Sequence, residues 1–465
     1  MIRRLIIAAL IAPAVFLTSF AGAADAPAAA AKPNVLLILS DDIGWGEFGF
    51  QGNKDVPTPN IDTIASNGVK FTNAYVAATV CSPSRAGLMT GRYPTSFGHE
   101  FNIAGQRMAA NSPVPLGIPL TETLFPQRMK SLGYATCAIG KWHIGADPAY
   151  LPTSRGFDEF YGTPANTTYR NPRAFVDTRK SPEITSIQDP DFYTTEAYTA
   201  RAIDYIGQQK AGRPYFLYLA FNADHGPLTG AAPKKYTDRF PDIKDPKRKD
   251  FAGAMSALDD AVGAVLKKVR DSGQEENTLV IFFSDNGGPT WQTTASNLPL
   301  HGSKGNTSEG GIRIPFCVQW KGKIPSGKVY DAPIINLDLL PTAIAAAGGQ
   351  VDPAWKLHGV DLLPYVTGAN PATPHEALYW RFGDQWAVRK GDWKLVSSNA
   401  DGKDAGQRKP KLINLAEDIS ESNDLAAKNP DKLKELQTLW TAWSDAQHAP
   451  LWKSPGLGKR GADND

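Results

Sequence analysis

Four short, mostly apolar runs, each closed by a cluster of polar residues, constrain this chain more than any other feature. They are Val35–Leu39, Ala135–Ile139, Tyr215–Phe221 and Leu279–Phe283. Runs this short and apolar on alternate residues as well as neighbouring ones read as strands of a parallel sheet covered on both faces. Helical patterns lie between them. The clearest spans Asp250–Ser272, with Phe251, Met255, Leu258, Val262, Val265, Leu266 and Val269 on one face and Gly273 at its C-terminal cap. Strands alternating with helices predict an α/β fold, a large doubly wound mixed sheet flanked by helices.

Past Pro371 the pattern changes. Leu378–Phe382, Trp386–Arg389, Trp393–Val396 and Lys411–Leu415 are strand-like pieces with no helix between them, which predicts a small antiparallel sheet. A helix follows, with Asn429 as N-cap, Pro430 in its first position, and Leu433, Leu436, Trp440 and Trp443 on its buried face. At 465 residues the chain exceeds what one core usually serves. The expected division is a large domain over residues 34–370, a C-terminal α+β subdomain over 371–452 and a tail over 453–465.

Arg3 and Arg4 ahead of the apolar stretch Leu5–Phe20, with Ala21-Gly22-Ala23 behind it, read as a signal peptide over residues 1–24. A retained anchor is the alternative, but the run is short for a span and contains Pro13. An Ala/Pro linker occupies residues 25–33, and no other segment is apolar enough to cross a bilayer. The expected destination is the periplasm or the exterior. A net charge of +2 with both signs dispersed excludes a general nucleic-acid binder. The densest charged stretch, Lys234–Asp250, mixes signs with prolines and reads as a solvated loop. The three cysteines are too few for a disulfide scaffold. Cys137 and Cys317 lie in apolar runs, as buried residues do; Cys81 lies among Ser, Pro and Arg.

In open α/β sheets ligands bind beyond the C-terminal strand ends. The four runs end in Ser40-Asp41-Asp42, Gly140-Lys141-Trp142-His143, Asn222-Ala223-Asp224-His225 and Ser284-Asp285-Asn286-Gly287. On one sheet edge these gather carboxylates, a lysine and two histidines. Asp41, Asp42, Asp285 and Asn286 offer only oxygen, which suits a hard cation, Ca²⁺ or Mg²⁺, and no Cys/His cluster has zinc spacing. The plainer reading of Asp41 and Asp42 is as turn residues. Adjacent carboxylates at a buried strand end repel each other, however, and a cation relieves that.

The segment Cys81-Ser82-Pro83-Ser84-Arg85 through Leu88-Met89-Thr90-Gly91 resembles the signature of the type I sulfatases, C-x-P-S-R followed by Leu-x-Thr-Gly. Gly302-Ser303-Lys304-Gly305, Glu309 to Pro315 and Asp338 to Thr342 follow in the family's order, so the resemblance runs from Asn34 to the C-terminal helix. It implies a sulfate-ester hydrolase on residues 34–370. A maturation enzyme would oxidise Cys81 to formylglycine, whose hydrate would attack sulfur in line. One divalent cation, Ca²⁺ with Mg²⁺ as the alternative, would be held by Asp41, Asp42, Asp285, Asn286 and the modified Cys81. Arg85 and Lys141 would hold the formylglycine and offset charge. His225 and Lys304 would serve the leaving group, and His143 would take the second hydroxyl's proton. Asp224 departs from the family, which often has Pro before this histidine. His99 and His301 are expected at the pocket wall, and Asp338 in packing or capping a helix start.

Two rivals stay open on sequence: a phosphodiesterase or phosphonate monoester hydrolase of the alkaline-phosphatase superfamily, and a non-catalytic carbohydrate-binding homologue. The expected substrate is a sulfated small molecule or a sulfated carbohydrate. The loop Thr163–Pro190, with Arg170, Arg173, Arg179, Lys180, Tyr169 and Phe175, is a candidate for reading it.

Overall fold

The structure, a computed structural model, describes residues 31–103, 112, 114–210, 212–403 and 405–453. The leader over 1–24, most of the linker and the end of the tail lie outside the described residues. In chain order the strands are β1 (Asn34–Ser40), β2 (Val69–Phe71), β3 (Ala74–Tyr75), β4 (Ala135–Lys141), β5 (Glu159–Thr163), β6 (Phe175–Asp177), β7 (Ser181–Thr185), β8 (Tyr215–Ala220), β9 (Thr278–Ser284), β10 (Phe316–Gln319), β11 (Lys328–Tyr330), β12 (Ile334–Ile335), β13 (Leu378–Phe382), β14 (Gln385–Lys390), β15 (Trp393–Ser397) and β16 (Lys411–Asn414).

Ten of them form one mixed sheet in the order β11-β2-β10-β9-β1-β8-β4-β5-β6-β7. The four predicted strands are adjacent at its centre and parallel, with Leu37 opposite both Tyr218 and Ile281, and Ile139 opposite Leu219. Their C-terminal ends therefore emerge side by side. β10 is antiparallel to β9, and β6 and β7 turn back antiparallel at the far edge. Alternate residues of β1 explain the unbroken apolar run. Val35, Leu37 and Leu39 pack on one face with Ala86, Leu88 and Met89 of the helix Cys81–Thr90. Leu36 and Ile38 pack on the other, with residues of the helices Pro59–Ser66, Thr194–Gln208 and Pro246–Asp271. Helices on both faces make the predicted layered α/β fold.

The long helix starts earlier than its apolar pattern. Pro246 opens it, and the Asp245 side chain accepts from the backbone N–H of Lys247. The stretch Lys234–Asp250 is thus only partly loop, since its last residues are a helical first turn whose side chains are too polar to show a period. Gly273 does adopt a left-handed conformation, φ +69°, just past the helix end.

β13 to β16 form the expected antiparallel sheet, in sequence order. The helix Pro430–Asp445 covers it. Two details differ from expectation. Asn429 stands at the N-cap, but its amide donates back to the Leu425 carbonyl, 3.2 Å away, and caps nothing. Of the predicted buried face only Leu436 is fully enclosed. Trp440 and Trp443 lie half-buried, stacked on Trp386 and Tyr379, with Tyr93 edge-on to Trp443. Among the described residues no helix is long and apolar enough to cross a membrane.

The loop Thr163–Pro190 is not an open basic and aromatic surface. Tyr169 and Phe175 are buried in the core, and Arg179 is tied to Glu159 and Asp204.

Candidate active site

Backbone hydrogen bonds stitch the strand ends together before any side chain acts. The N–H of Asp41 donates to the Ala223 carbonyl at 2.9 Å, Asp224 donates to Asp41 at 2.7 Å, and Asp285 donates to Ser40 at 3.1 Å. Asp42 then turns into the left-handed region, φ +63°, which an aspartate tolerates better than most side chains. The turn reading of this dipeptide holds, and the same bend aims the two carboxylates at one place, Asp41 Oδ1 and Asp42 Oδ1 lying 3.5 and 3.7 Å from Cys81 Sγ. Gly140 serves a different purpose. A Cβ there would lie 1.8 Å from the Ala220 carbonyl oxygen, so only glycine lets β4 run close enough to β8 to bring Lys141 in.

Cys81 is the first residue of a helix whose ten residues are all buried. Its Sγ sits 3.5 Å from Asp41 Oδ1 and 3.7 Å from Asp42 Oδ1. Burial, then the charge of Asp285, pushes the thiol well above its ordinary range, despite Lys141 and Lys304 nearby. A cysteine nucleophile needs the opposite shift.

Three cations answer the carboxylates. Lys141 Nζ is 2.6 Å from Asp41 Oδ2, and Lys304 Nζ is 2.9 Å from Asp42 Oδ2. Arg85 pairs with Asp285 Oδ2 at 2.8 Å, approaches Asp41 at 3.6 Å, and donates to the Lys141 carbonyl and the Tyr218 hydroxyl. All six charged groups are almost completely buried. Burial by itself would raise the Asp42 carboxyl; Lys304, then His225 and Lys141, outweigh it and hold Asp42 well below the usual range. Asp285 goes the other way, up to about 6, because burial and the neighbouring Asp41 outweigh its arginine.

Asp41, Asp42, Cys81 and His225 each bring one ligand atom into a group within 4.8 Å of one another. Asn286 donates from Nδ2 to Asp42 Oδ1 at 2.6 Å, while its Oδ1 is buried with no hydrogen-bond partner among the described residues. An orphaned buried acceptor beside two carboxylates fits a hard cation. Asp285 lies beside them, with Oδ1 accepting the Asp42 N–H at 3.2 Å and Oδ2 held by Arg85. His225 Nε2 lies 3.4 Å from Lys304 Nζ and 3.6 Å from Asp42 Oδ2.

His143 is buried next to this group without touching it. Its Nε2 is 3.1 Å from the Ile103 carbonyl, and its Nδ1 has no partner among the described residues. Burial, then Lys141 and Arg85, drives its pKa well down, so the ring is neutral. His99 and His301, expected at the pocket wall, face elsewhere. His99 Nε2 is 2.7 Å from Ser82 Oγ, and burial pulls its pKa to about 3. His301 bonds Asp401. Asp338 acts as expected in packing, accepting from the N–H groups of Ile335 and Val360. Sequence reasoning missed Tyr218, and it placed Tyr169 in a substrate-reading loop, whereas the ring is buried and its hydroxyl serves the site's backbone. Tyr169 donates to the carbonyls of Asn222 and His225 at 2.8 and 2.9 Å, holding the β8 turn that carries Asp224, whose own carboxyl is buried and unpaired among the described residues.

The family model described as Sulfatase matches residues 33–349. The N-acetylgalactosamine-6-sulfatase of Canis lupus familiaris is 35% identical over 398 residues, 80% of this chain and 72% of that protein. The crystal structure of Ps i-CgsB in complex with k-i-k-neocarrahexaose superposes with a TM-score of 0.80 at 33% identity, covering 90% of this chain and 94% of that one. The phosphonate monoester hydrolase of Agrobacterium radiobacter shares the fold, with a TM-score of 0.61 at 18% identity over 88% of this chain and 96% of that one. Similarity at this level across most of the chain, on a fold that brings the signature cysteine to the carboxylates at the strand ends, makes the protein a member of the sulfatase family, a type I sulfatase that hydrolyses sulfate esters.

Proposed function

We propose that the enzyme removes sulfate from a sulfated carbohydrate outside the cytoplasm, with Cys81 converted to formylglycine by a maturation enzyme and with one Ca²⁺ or Mg²⁺ ion held by Asp41, Asp42, Asn286, Asp285 and the modified Cys81. The observation that carries this is the position of Cys81, buried at a helix start, 3.5 Å from one carboxylate and 3.7 Å from the next, with a thiol too high in pKa to attack. The names of the relatives support a sugar substrate, since one is a sulfatase of an amino sugar and another was crystallised with a carrageenan fragment.

Formylglycine, as its hydrate, supplies the attacking oxygen that the thiol cannot. A bound cation supplies Lewis-acid polarisation of the sulfate. The remaining tasks fall to the chain's own side chains. Asp285, with a pKa near 6, accepts the proton of the attacking hydroxyl while Arg85 keeps it aligned. Lys141 and Arg85, both buried, offset the charge that builds on the sulfate oxygens. His225 and Lys304, 3.4 Å apart, deliver a proton to the departing sugar oxygen as the S–O bond breaks. The neutral His143 ring, whose Nδ1 has no partner among the described residues, takes the proton of the second hydroxyl, and the C–O bond to the sulfated oxygen breaks, releasing sulfate and restoring the aldehyde.

The test is an activity screen of matured enzyme on N-acetylgalactosamine 6-sulfate, an aryl sulfate, a phosphate diester and a phosphonate monoester. Higher kcat/KM on the sulfate esters is the expected result. Preference for phosphodiester or phosphonate would replace this reading with the superfamily alternative.

A further inference from the structure

The loop that carries Lys304 has a second face. One side delivers Lys304 to Asp42. The other carries His301 and Ser308 to a separate cavity of about 340 Å³, closed by Ser398, Asp401, Arg408 and Lys411 from the C-terminal sheet and its loops. The two walls are fastened together: Asn306 Nδ2 donates to Asn399 Oδ1 at 2.5 Å, and Gln385 Nε2 donates to the Gly305 carbonyl at 2.8 Å.

The carboxylates of this cavity are already engaged. Asp401 bonds His301 at 3.1 Å and Lys411 at 2.9 Å. Glu421 pairs with Lys394 and accepts the Glu309 N–H. Asp424 accepts the N–H groups of Leu412 and Ala426. The cations are not all engaged. The Arg408 side chain is only 4% exposed and ties one nitrogen to the exposed Asp384, while its Nε and Nη1 are buried with no hydrogen-bond partner among the described residues. Lys403 and Lys409, which also line the cavity, form no ion pair with any described residue. Buried donors are almost always paired, and unpaired guanidinium N–H groups in a cavity also lined by two ammonium groups suit the oxygens of a sulfate. The volume falls at the low end of small-molecule pockets, about 300 Å³ and above, enough for a sugar unit with its substituent.

We propose that this cavity is a subsite for a second sulfate group, carried by a neighbouring sugar of the same substrate, with Arg408, Lys403 and Lys409 as its receptors. The proposal rests on the carbohydrate-sulfatase reading above. It makes the enzyme selective for multiply sulfated saccharides, and the selectivity weakens with salt, as contacts to partly exposed lysines do.

The experiment uses matured full-length enzyme and two oligosaccharides of equal length, identical at the cleaved sulfate, one bearing a second sulfate on the adjacent sugar. The readout is the ratio of their kcat/KM values. Wild type should prefer the disulfated one by about tenfold, mainly through KM. Arg408→Gln and, independently, Lys409→Ala should bring the ratio towards one, and Arg408→Lys should keep part of it. Lys409→Ala removes an outward-reaching side chain and keeps the test available if Arg408→Gln fails to fold. A ratio near one in wild type, or a ratio unchanged in both variants, would overturn the subsite while leaving the sulfatase reading intact. Free inorganic sulfate that abolishes the ratio at concentrations too low to inhibit cleavage of the monosulfated sugar would support the subsite. Failure to cleave either sugar, with an aryl sulfate still turned over, would remove the carbohydrate reading on which the subsite depends.

Discussion

At the end of β1, two adjacent carboxylates are each held by a different lysine, and Arg85 holds the third. This arrangement separates residues that serve chemistry from residues that serve the fold. Cys81→Ala removes one sulfur atom from a packed helix start, so it should cost about 1 kcal/mol or less in stability while removing turnover. Arg85→Ala should do both. It strips Asp285 and Asp41 of a buried partner and should cost about 3–5 kcal/mol. Urea unfolding alongside kcat/KM distinguishes the two. An equally destabilised Cys81→Ala would mean that the cysteine is there for packing. Asp41, Asp42, Lys141, His143, His225, Asp285 and Asn286 were legible because four apolar strands end in polar residues on one sheet edge, whereas Arg85, inside a helix, and Lys304, in a loop, came only with the resemblance to the type I sulfatases. Tyr218 was not, because its ring belongs to the core and only its hydroxyl reaches the site, and Tyr169 was given a substrate-reading place for the same reason. His301, a candidate for the pocket wall, bonds Asp401 instead, because a loop position gives no side-chain direction.

Two elements depend on buried ion pairs remote from the site. His375 Nε2 lies 2.8 Å from Asp338 Oδ1, at the start of the helix Leu339–Ala346. Burial opposes the imidazolium, but Asp338 outweighs it and raises the pKa above the ordinary 6.5. A raised folded pKa contributes stability that is fully present below 6.5 and is lost as pH rises through the folded value. The melting-temperature gap between wild type and His375→Gln should therefore be widest below that pH and close above it. A gap that widens with rising pH would contradict the assignment. Lys394, on β15, is completely buried between Glu309 and Glu421, 2.8 Å from each. Lys394→Ala should cost about 3–5 kcal/mol, measured by denaturant unfolding, because it leaves two carboxylates facing each other. The central strands were legible for a simple reason: burial on both faces leaves nothing but apolar residues. The edge strands β6 and β7 and the antiparallel β10 were not. β7 is almost wholly exposed and carries no pattern, and direction within a sheet leaves no trace in composition.

For the molecule as a whole, the sheet gathers three carboxylates and three fixed cations into one buried group that is nearly neutral, to which a divalent ion would add the positive charge a sulfate ester needs. Chelation should abolish sulfate release, and Ca²⁺ or Mg²⁺ should restore it; chelation should also lower the melting temperature, since an ion bound only by the folded state stabilises it. Recovery with Zn²⁺ alone would contradict the oxygen-donor reading. The most direct measurement compares preparations matured to different extents, plotting the rate of sulfate release against the fraction of Cys81-containing peptide that carries an aldehyde. A proportional line through the origin is predicted. Undiminished, repeated turnover in a preparation whose Cys81 is entirely thiol would contradict the account.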